Sequence, residues 1–332
     1  MTRNQFAFSV LTKRLLVAVC LLAPPMARLA AGQTARIEIH SIETMTLTDQ
    51  QFLTGVKNGK PAMIGGELRL PPGTERFPAV ILLHGSLGVG ATVDRWAREL
   101  NGIGVAAFIL YSFTGRGIVQ TSTDQSQLGR LNMIMDAYRA LTILSKHVRI
   151  DVSRIALMGF SRGGQATLYA SLKRFHRMHA PAGVKFAAYI PFYGSCNTTY
   201  IEDDQVDDRP IRLFHGTADD MALIEPCRQY VKRLRGMGKD IQLTEYAGAR
   251  HGFDNPSFPL VRELPDAQNW TRCGIEERPG GQIVNRETRQ PFTFSDPCVQ
   301  RGETVGYDPR ATAAATQSVK EFLASLWKLN AR

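Results

Sequence analysis

"RIALMGFSRGGQATLYA", residues 154–170, opens as an unbroken apolar run and closes as a helix of small residues, with a serine between glycines at the junction. Residues 154–160 read as a strand buried on both faces. Gly164, Ala166 and Ala170 are small enough to let the following helix lie close against a sheet. Gly159, Ser161 and Gly163 have the spacing of a strained strand-to-helix turn that lifts a serine oxygen clear of the sheet. A serine alcohol is a poor nucleophile near neutral pH, so that reading requires a base to take its proton and backbone donors to hold the oxyanion. A glycine-rich structural turn is the alternative, and the rest of the chain decides between the two.

On such a turn the partners follow in the order nucleophile, acid, histidine. Of the seven histidines, His40 and His84 precede the serine, His147 ends a helix, and His176 and His179 sit in the basic helix end "KRFHRMHA". His215 closes the apolar run "IRLFHG", where packing or a local hydrogen bond is expected of it. His251, in "YAGARHGF", follows the last strand in a glycine-flanked loop from which a side chain can reach back over the sheet's carboxyl edge, and is the expected base. Asp219 and Asp220 both follow the strand at 211–216. Asp219 is the expected acid, which orients and stabilises the imidazolium, while Asp220 fits a cap for the helix beyond. The oxyanion donors are expected to be the backbone N–H of Arg162 and that of Ser86 in "LLHGSLGVG". That loop lacks the third glycine of a dinucleotide fingerprint. "SLWK" at 325–328 matches SxxK but stands at the end of a terminal helix with no KTG or SDN companion, so it is read as coincidence.

Outward from this stretch, short apolar runs at 78–85, 105–112, 186–193, 211–216 and 241–247 alternate with amphipathic segments. This is the pattern of an α/β fold, strands joined by crossover helices in a largely parallel sheet. Helices are expected over 124–147, 225–236 and 311–327, and a lead-in hairpin over 35–43 and 65–72. Residues 255–310 break the rhythm: rich in Pro, Gly, Arg and Asn, they form either a rim over a site or a stapled surface excursion.

With 332 residues, 44% hydrophobic, the chain can bury a full core, and one domain over 33–332 is expected. The net charge is +10, of which Arg3, Lys13, Arg14 and Arg28 supply four with no acid before residue 33, leaving +6. No basic block is interleaved with aromatics, which argues against nucleic-acid binding. Residues 1–32 read as a secretory signal with cleavage before Gln33. Its apolar run, residues 15–23, is closed by Pro24 and Pro25 and is about half of a bilayer span, so export without a lasting membrane anchor is expected, to a periplasmic or secreted location. Cys20 lies inside that run after bulky Val19 and does not suit lipidation. The remaining Cys196, Cys227, Cys273 and Cys298 then point to two disulfides. Three pairings are possible; joining sequence neighbours closes loops of about 25 to 31 residues. Without CxxC or HExxH spacing, no zinc site is expected.

Together, "HGSLG" (84–88), "YSFTGRG" (111–117), "DVSRIALMGFSRGG" (151–164), "GTADDMALIEPC" (216–227) and "YAGARHGF" (246–253) resemble the dienelactone hydrolase family of α/β-hydrolases. The resemblance covers residues 60–255 and the last helix. It implies an α/β-hydrolase fold and a hydrolase without metal or organic cofactor, acting on an ester or lactone bond of a small molecule. Matched position by position, Ser161, Asp219 and His251 fall on the family's nucleophile, acid and base. The best-known members carry cysteine where this chain has Ser161, so a serine esterase is expected rather than a dienelactone-specific enzyme. Arg116 in "FTGRG" is expected either to bind an anionic substrate group or to stand as a solvated loop arginine. A peptidase of the same fold and a catalytically silent binding protein are the rival readings.

Overall fold

The computed structural model describes Met1 and residues 34–329; the expected signal segment lies outside the described residues. The chain from residue 34 onward begins with the lead-in hairpin, β1 (Arg36–Thr46) and β2 (Lys60–Leu70), paired antiparallel around a short helix α1 (Asp49–Thr54). Then come β3 (Phe77–Leu83), α2 (Ala91–Gly102), β4 (Ala106–Tyr111), α3 (Asn132–Ser145), β5 (Ile150–Phe160), α4 (Arg162–Tyr169), α5 (Lys173–His179), β6 (Tyr189–Phe192) and the two-residue β7 (Thr198–Thr199). β8 (Ile211–Gly216), α6 (Ile224–Gly236) and β9 (Ile241–Tyr246) complete the main sheet.

That sheet has eight strands in the order β1-β2-β4-β3-β5-β6-β8-β9. Every pair from β4 to β9 is parallel, and β2 meets β4 antiparallel. Successive residues of β3 face opposite layers, as a period of two requires. Phe77, Ala79, Ile81 and Leu83 join the core under α1, α3, α5 and α6, while Val80 and Leu82 join the core under α2 and the terminal helix α7 (Pro309–Trp327). Helices therefore cover both faces, which is why the strands read as continuous apolar runs. None of the described helices is long and apolar enough to cross a membrane.

The helix expected over 124–147 is shorter. Residues 125–127 form a single 3-10 turn capped by the Asp124 side chain, and α3 starts only at Asn132. Gly129 intervenes where the chain passes close to Leu47, whose carbonyl oxygen lies 3.1 Å from where a Cβ would stand. The irregular stretch after residue 254 is built of two-residue and four-residue pairs: β10 (Arg262–Glu263), β11 (Gln268–Asn269), β12 (Ile275–Arg278), β13 (Gln282–Asn285), β14 (Gln300–Arg301) and β15 (Thr304–Val305). It is stapled by Cys273–Cys298, and Cys196–Cys227 ties the end of β6 to α6. The pairing is the one between sequence neighbours.

Candidate active site

Ser161 stands between β5 and α4 with φ 55° and ψ −116°, a left-handed conformation that a non-glycine residue holds only where its surroundings force it. Its N–H donates to the Phe192 carbonyl at 3.0 Å, and its own carbonyl accepts the Gln165 N–H at 2.9 Å. The glycines make room for this turn. A Cβ on Gly159 would lie 2.2 Å from the Gly163 oxygen, and one on Gly163 would lie 2.4 Å from the Leu83 oxygen. The buried strand thus delivers the serine, and the missing side chains let helix and sheet close beneath it.

Three distant side chains meet here. The His251 Nε2 lies 2.8 Å from Ser161 Oγ, and its Nδ1 lies 2.8 Å from Asp219 Oδ2. Asp219 is fully buried; its Oδ1 accepts the Met221 and Ala222 N–H groups at 3.0 and 2.7 Å, which leaves Oδ2 for the imidazole. Burial opposes the charged form of both partners. For Asp219 the facing His251 and His215 outweigh burial and hold its carboxyl well below the usual range. Burial likewise lowers the His251 pKa, but Asp219, with Glu303 and Asp220 beyond it, turns the balance and raises it. A carboxylate that stays charged fixes the imidazole with its proton on Nδ1 and its free electron pair toward the serine.

The ring is also held from the side. Tyr193, strained at φ 35°, packs its edge against His251 at a centroid distance of 4.9 Å. The Tyr193 hydroxyl donates to Asp254 Oδ1 at 2.6 Å, and Trp96 Nε1 donates to Asp254 Oδ2 at 2.6 Å. Neither Tyr193 nor Asp254 was legible as a site residue, although Asp254 stands only three positions past the histidine.

Ser86 and Arg162, the expected oxyanion donors, both stand beside Ser161. A Cβ on Gly85 would lie 3.3 Å from Ser161 Cβ, so the 85–88 loop runs against Ser161. Arg162 opens α4, where a backbone N–H has no intrahelical acceptor. The side chains matter too. Arg162 Nη1 donates to Gln125 Oε1 at 2.6 Å, and Gln125 Nε2 donates to Ser86 Oγ at 3.1 Å. Gln125, missed in the sequence because it seemed to belong to a helix, links both expected oxyanion donors.

Three expectations need correction or completion. Arg116 is neither in the cleft nor solvated: its side chain is 3% exposed and bidentate on the fully buried Asp136, at 2.7 and 2.9 Å. It also donates to the Met45 and Ser112 carbonyls, so its charge serves the hairpin and α3. Asp220 caps no helix; its carboxylate accepts the Thr304 N–H and hydroxyl at 2.9 and 2.7 Å and ties β15 to the β8 loop. The 255–310 stretch is both stapled and a rim, because Leu264, Glu303 and Val305 line the cleft. His215 makes the local contacts expected of it: its Nε2 lies 2.6 Å from the Ala222 carbonyl and 3.4 Å from Asp219 Oδ2.

The cleft above Ser161 has a volume of about 290 Å³. Elsewhere, Glu38, His40 and His147 bring possible ligand atoms within 4.8 Å of one another. His147 Nδ1 accepts the Arg149 N–H at 3.2 Å, which puts the ring proton on Nε2, where it faces Glu38 at 2.9 Å. Glu38 is also paired with Arg36 at 2.9 Å, so its carboxylate is shared between that guanidinium and the His147 ring.

Comparison with known proteins agrees with this architecture. A dienelactone hydrolase-like promiscuous phosphotriesterase from metagenomic libraries aligns with a TM-score of 0.54 at 17% identity, covering 87% of this chain and 98% of that one. Esterase 2 of Thermogutta terrifontis aligns with a TM-score of 0.55 at 16% identity, over 90% and 98% of the two chains. A Bradyrhizobium protein described as a "Probable 2-oxo-3-(5-oxofuran-2-ylidene)propanoate lactonase" is 23% identical over 234 residues, 63% of this chain and 89% of that one. The model of the dienelactone hydrolase family matches residues 64–326, most of the chain and all of the site. The chain belongs to the dienelactone hydrolase family.

Proposed function

We propose that this protein is a serine hydrolase that cleaves a carboxylic ester or lactone bond of a small substrate through an acyl-enzyme. The observation that carries the reading is the single imidazole of His251, bonded at 2.8 Å both to the Ser161 hydroxyl and to the buried Asp219. His251 Nε2 removes the Ser161 proton as Oγ attacks the carbonyl carbon. The negative charge on the carbonyl oxygen is held by the Ser86 and Arg162 amides. The tetrahedral adduct collapses, the alcohol leaves with the proton from His251, and Ser161 remains acylated. Water, deprotonated by the same imidazole, releases the acid and restores the hydroxyl. Family membership supports ester or lactone chemistry, and the lactonase name of the Bradyrhizobium relative supports a small lactone.

The two disulfides and the basic, apolar leader support action in an exported, oxidising compartment. The experiment is direct. Wild-type protein is expected to hydrolyse 4-nitrophenyl acetate and to be labelled by a fluorophosphonate probe. Ser161→Ala is expected to lose labelling and roughly three or more orders of magnitude in turnover. Full activity in that variant overturns the reading; hydrolysis of peptides in preference to esters replaces it with a peptidase.

A further inference from the structure

The proposed mechanism leaves one ionisable group in the cleft unused. The lining is mainly apolar, with Leu87, Val93, Phe160, Met221, Phe258 and Leu264 around the serine, and among the described residues it contains no lysine or arginine. With Arg116 turned inward to Asp136, no described lining residue offers an anionic substrate a guanidinium or ammonium group. The lining side chains that carry charge near neutrality are His251, committed to Ser161 and Asp219, and Glu303.

Glu303 is held from both sides. Its carbonyl accepts the Leu264 N–H at 2.9 Å, the next residue, Thr304, is bound to Asp220, and Val305 bridges to His251. The carboxyl itself has no such anchor: Oε2 is buried and makes no hydrogen bond among the described residues. A buried acceptor left without a donor is costly, and it becomes satisfied when a ligand brings one. Burial, with Asp219 and Asp220 nearby and His251 opposing, pushes the group up to about 7.

We propose that Glu303 determines substrate charge at this site: it accepts a hydrogen-bond donor or cationic group on the non-reacting end of the ester and repels a carboxylate there. The preferred class is therefore small neutral or cationic esters with an apolar body, and esters bearing a second carboxylate are disfavoured. This rests on the serine-hydrolase reading and adds a polarity to it. A charge pair several ångström apart in a partly buried site changes binding by tenfold or more.

The test compares three 4-nitrophenyl esters of similar acyl length at pH 8.5, where Glu303 is ionised: the valerate, the anionic hemisuccinate and the cationic 4-(trimethylammonio)butanoate. Wild-type protein is expected to have a kcat/KM for the hemisuccinate at least tenfold below that for the valerate, and a value for the cationic ester equal to or above the valerate's. In Glu303→Gln, the hemisuccinate-to-valerate ratio is expected to rise at least tenfold and the cation-to-valerate ratio to fall. Ratios within one preparation are independent of the folded fraction, so partial misfolding does not obscure the outcome. Turnover of the valerate with both ratios unchanged in Glu303→Gln overturns this inference and leaves the hydrolase reading standing. Absence of turnover on all three esters, with no fluorophosphonate labelling, removes both.

Discussion

His251 is where the chemistry of the site is set, because burial and its neighbours act on the ring in opposite directions. Burial alone depresses the imidazolium, yet Asp219, Glu303 and Asp220 lift its pKa above the ordinary 6.5. The proposed mechanism uses His251 as a general base, which works only when neutral, so activity is expected to be lost as pH falls through that raised value. The acid limb of the kcat/KM profile is expected above pH 6.5. In Asp219→Asn the main raising charge is gone while burial remains, so the limb is expected to move to lower pH and kcat to fall by about three orders of magnitude or more. A pH profile of both proteins on one neutral ester reads the shift. His84, by contrast, is fully buried beside Gly85 and pushed down to about 4, so it stays neutral across the working range and adds no limb of its own.

At the scale of the element, α4 sits on the sheet because Gly163 and Gly164 in its first turn place no side chain against the strand backbone. Gly163→Ala places a methyl group 2.4 Å from the Leu83 oxygen and 2.6 Å from that of His84, both backbone atoms that cannot swivel away. The helix must lift, and with it the turn that presents Ser161. A loss of about 2 kcal/mol or more in urea unfolding is expected, with activity falling further than stability accounts for. The excursion depends on its staple in the same way. Cys273–Cys298 closes 25 residues that otherwise rest on a small cluster around Trp270 and Ile275. The double Cys273→Ser/Cys298→Ser variant is expected to lose about 3 kcal/mol by loop closure, seen in its unfolding midpoint. Its KM is expected to rise, because Leu264 and Val305 form one wall of the cleft.

For the molecule as a whole, the Arg116–Asp136 pair ties the lead-in hairpin to α3. Arg116 bonds the hairpin through Met45 and Thr46, and Asp136 belongs to α3 and also accepts the Thr44 hydroxyl at 2.8 Å. Removing one charge strands the other in the interior. Arg116→Ala is expected to cost about 3 to 5 kcal/mol in chemical denaturation, with the ratio of kcat/KM for anionic and neutral esters left where it was. A change in that ratio without destabilisation would return Arg116 to the substrate.

By itself the sequence determined the alternation of strands and helices, the turn at Ser161, and the order in which serine, acid and histidine follow one another. These are written in local spacing: two-residue and 3.6-residue periods, glycines where a Cβ has no room, and loops at the ends of apolar runs. Only the tertiary structure decided which way individual polar side chains face. Asp219 turns to the histidine while its neighbour Asp220 turns to Thr304, Arg116 turns inward, Gln125 leaves the helix it seemed to start, and Glu303 arrives in the cleft from a segment with no period to read. The reason is physical: burial forces each polar group to find whatever partner packing brings within about 3 Å, and those partners lie 20 to 90 residues away along the chain, beyond the reach of any local pattern.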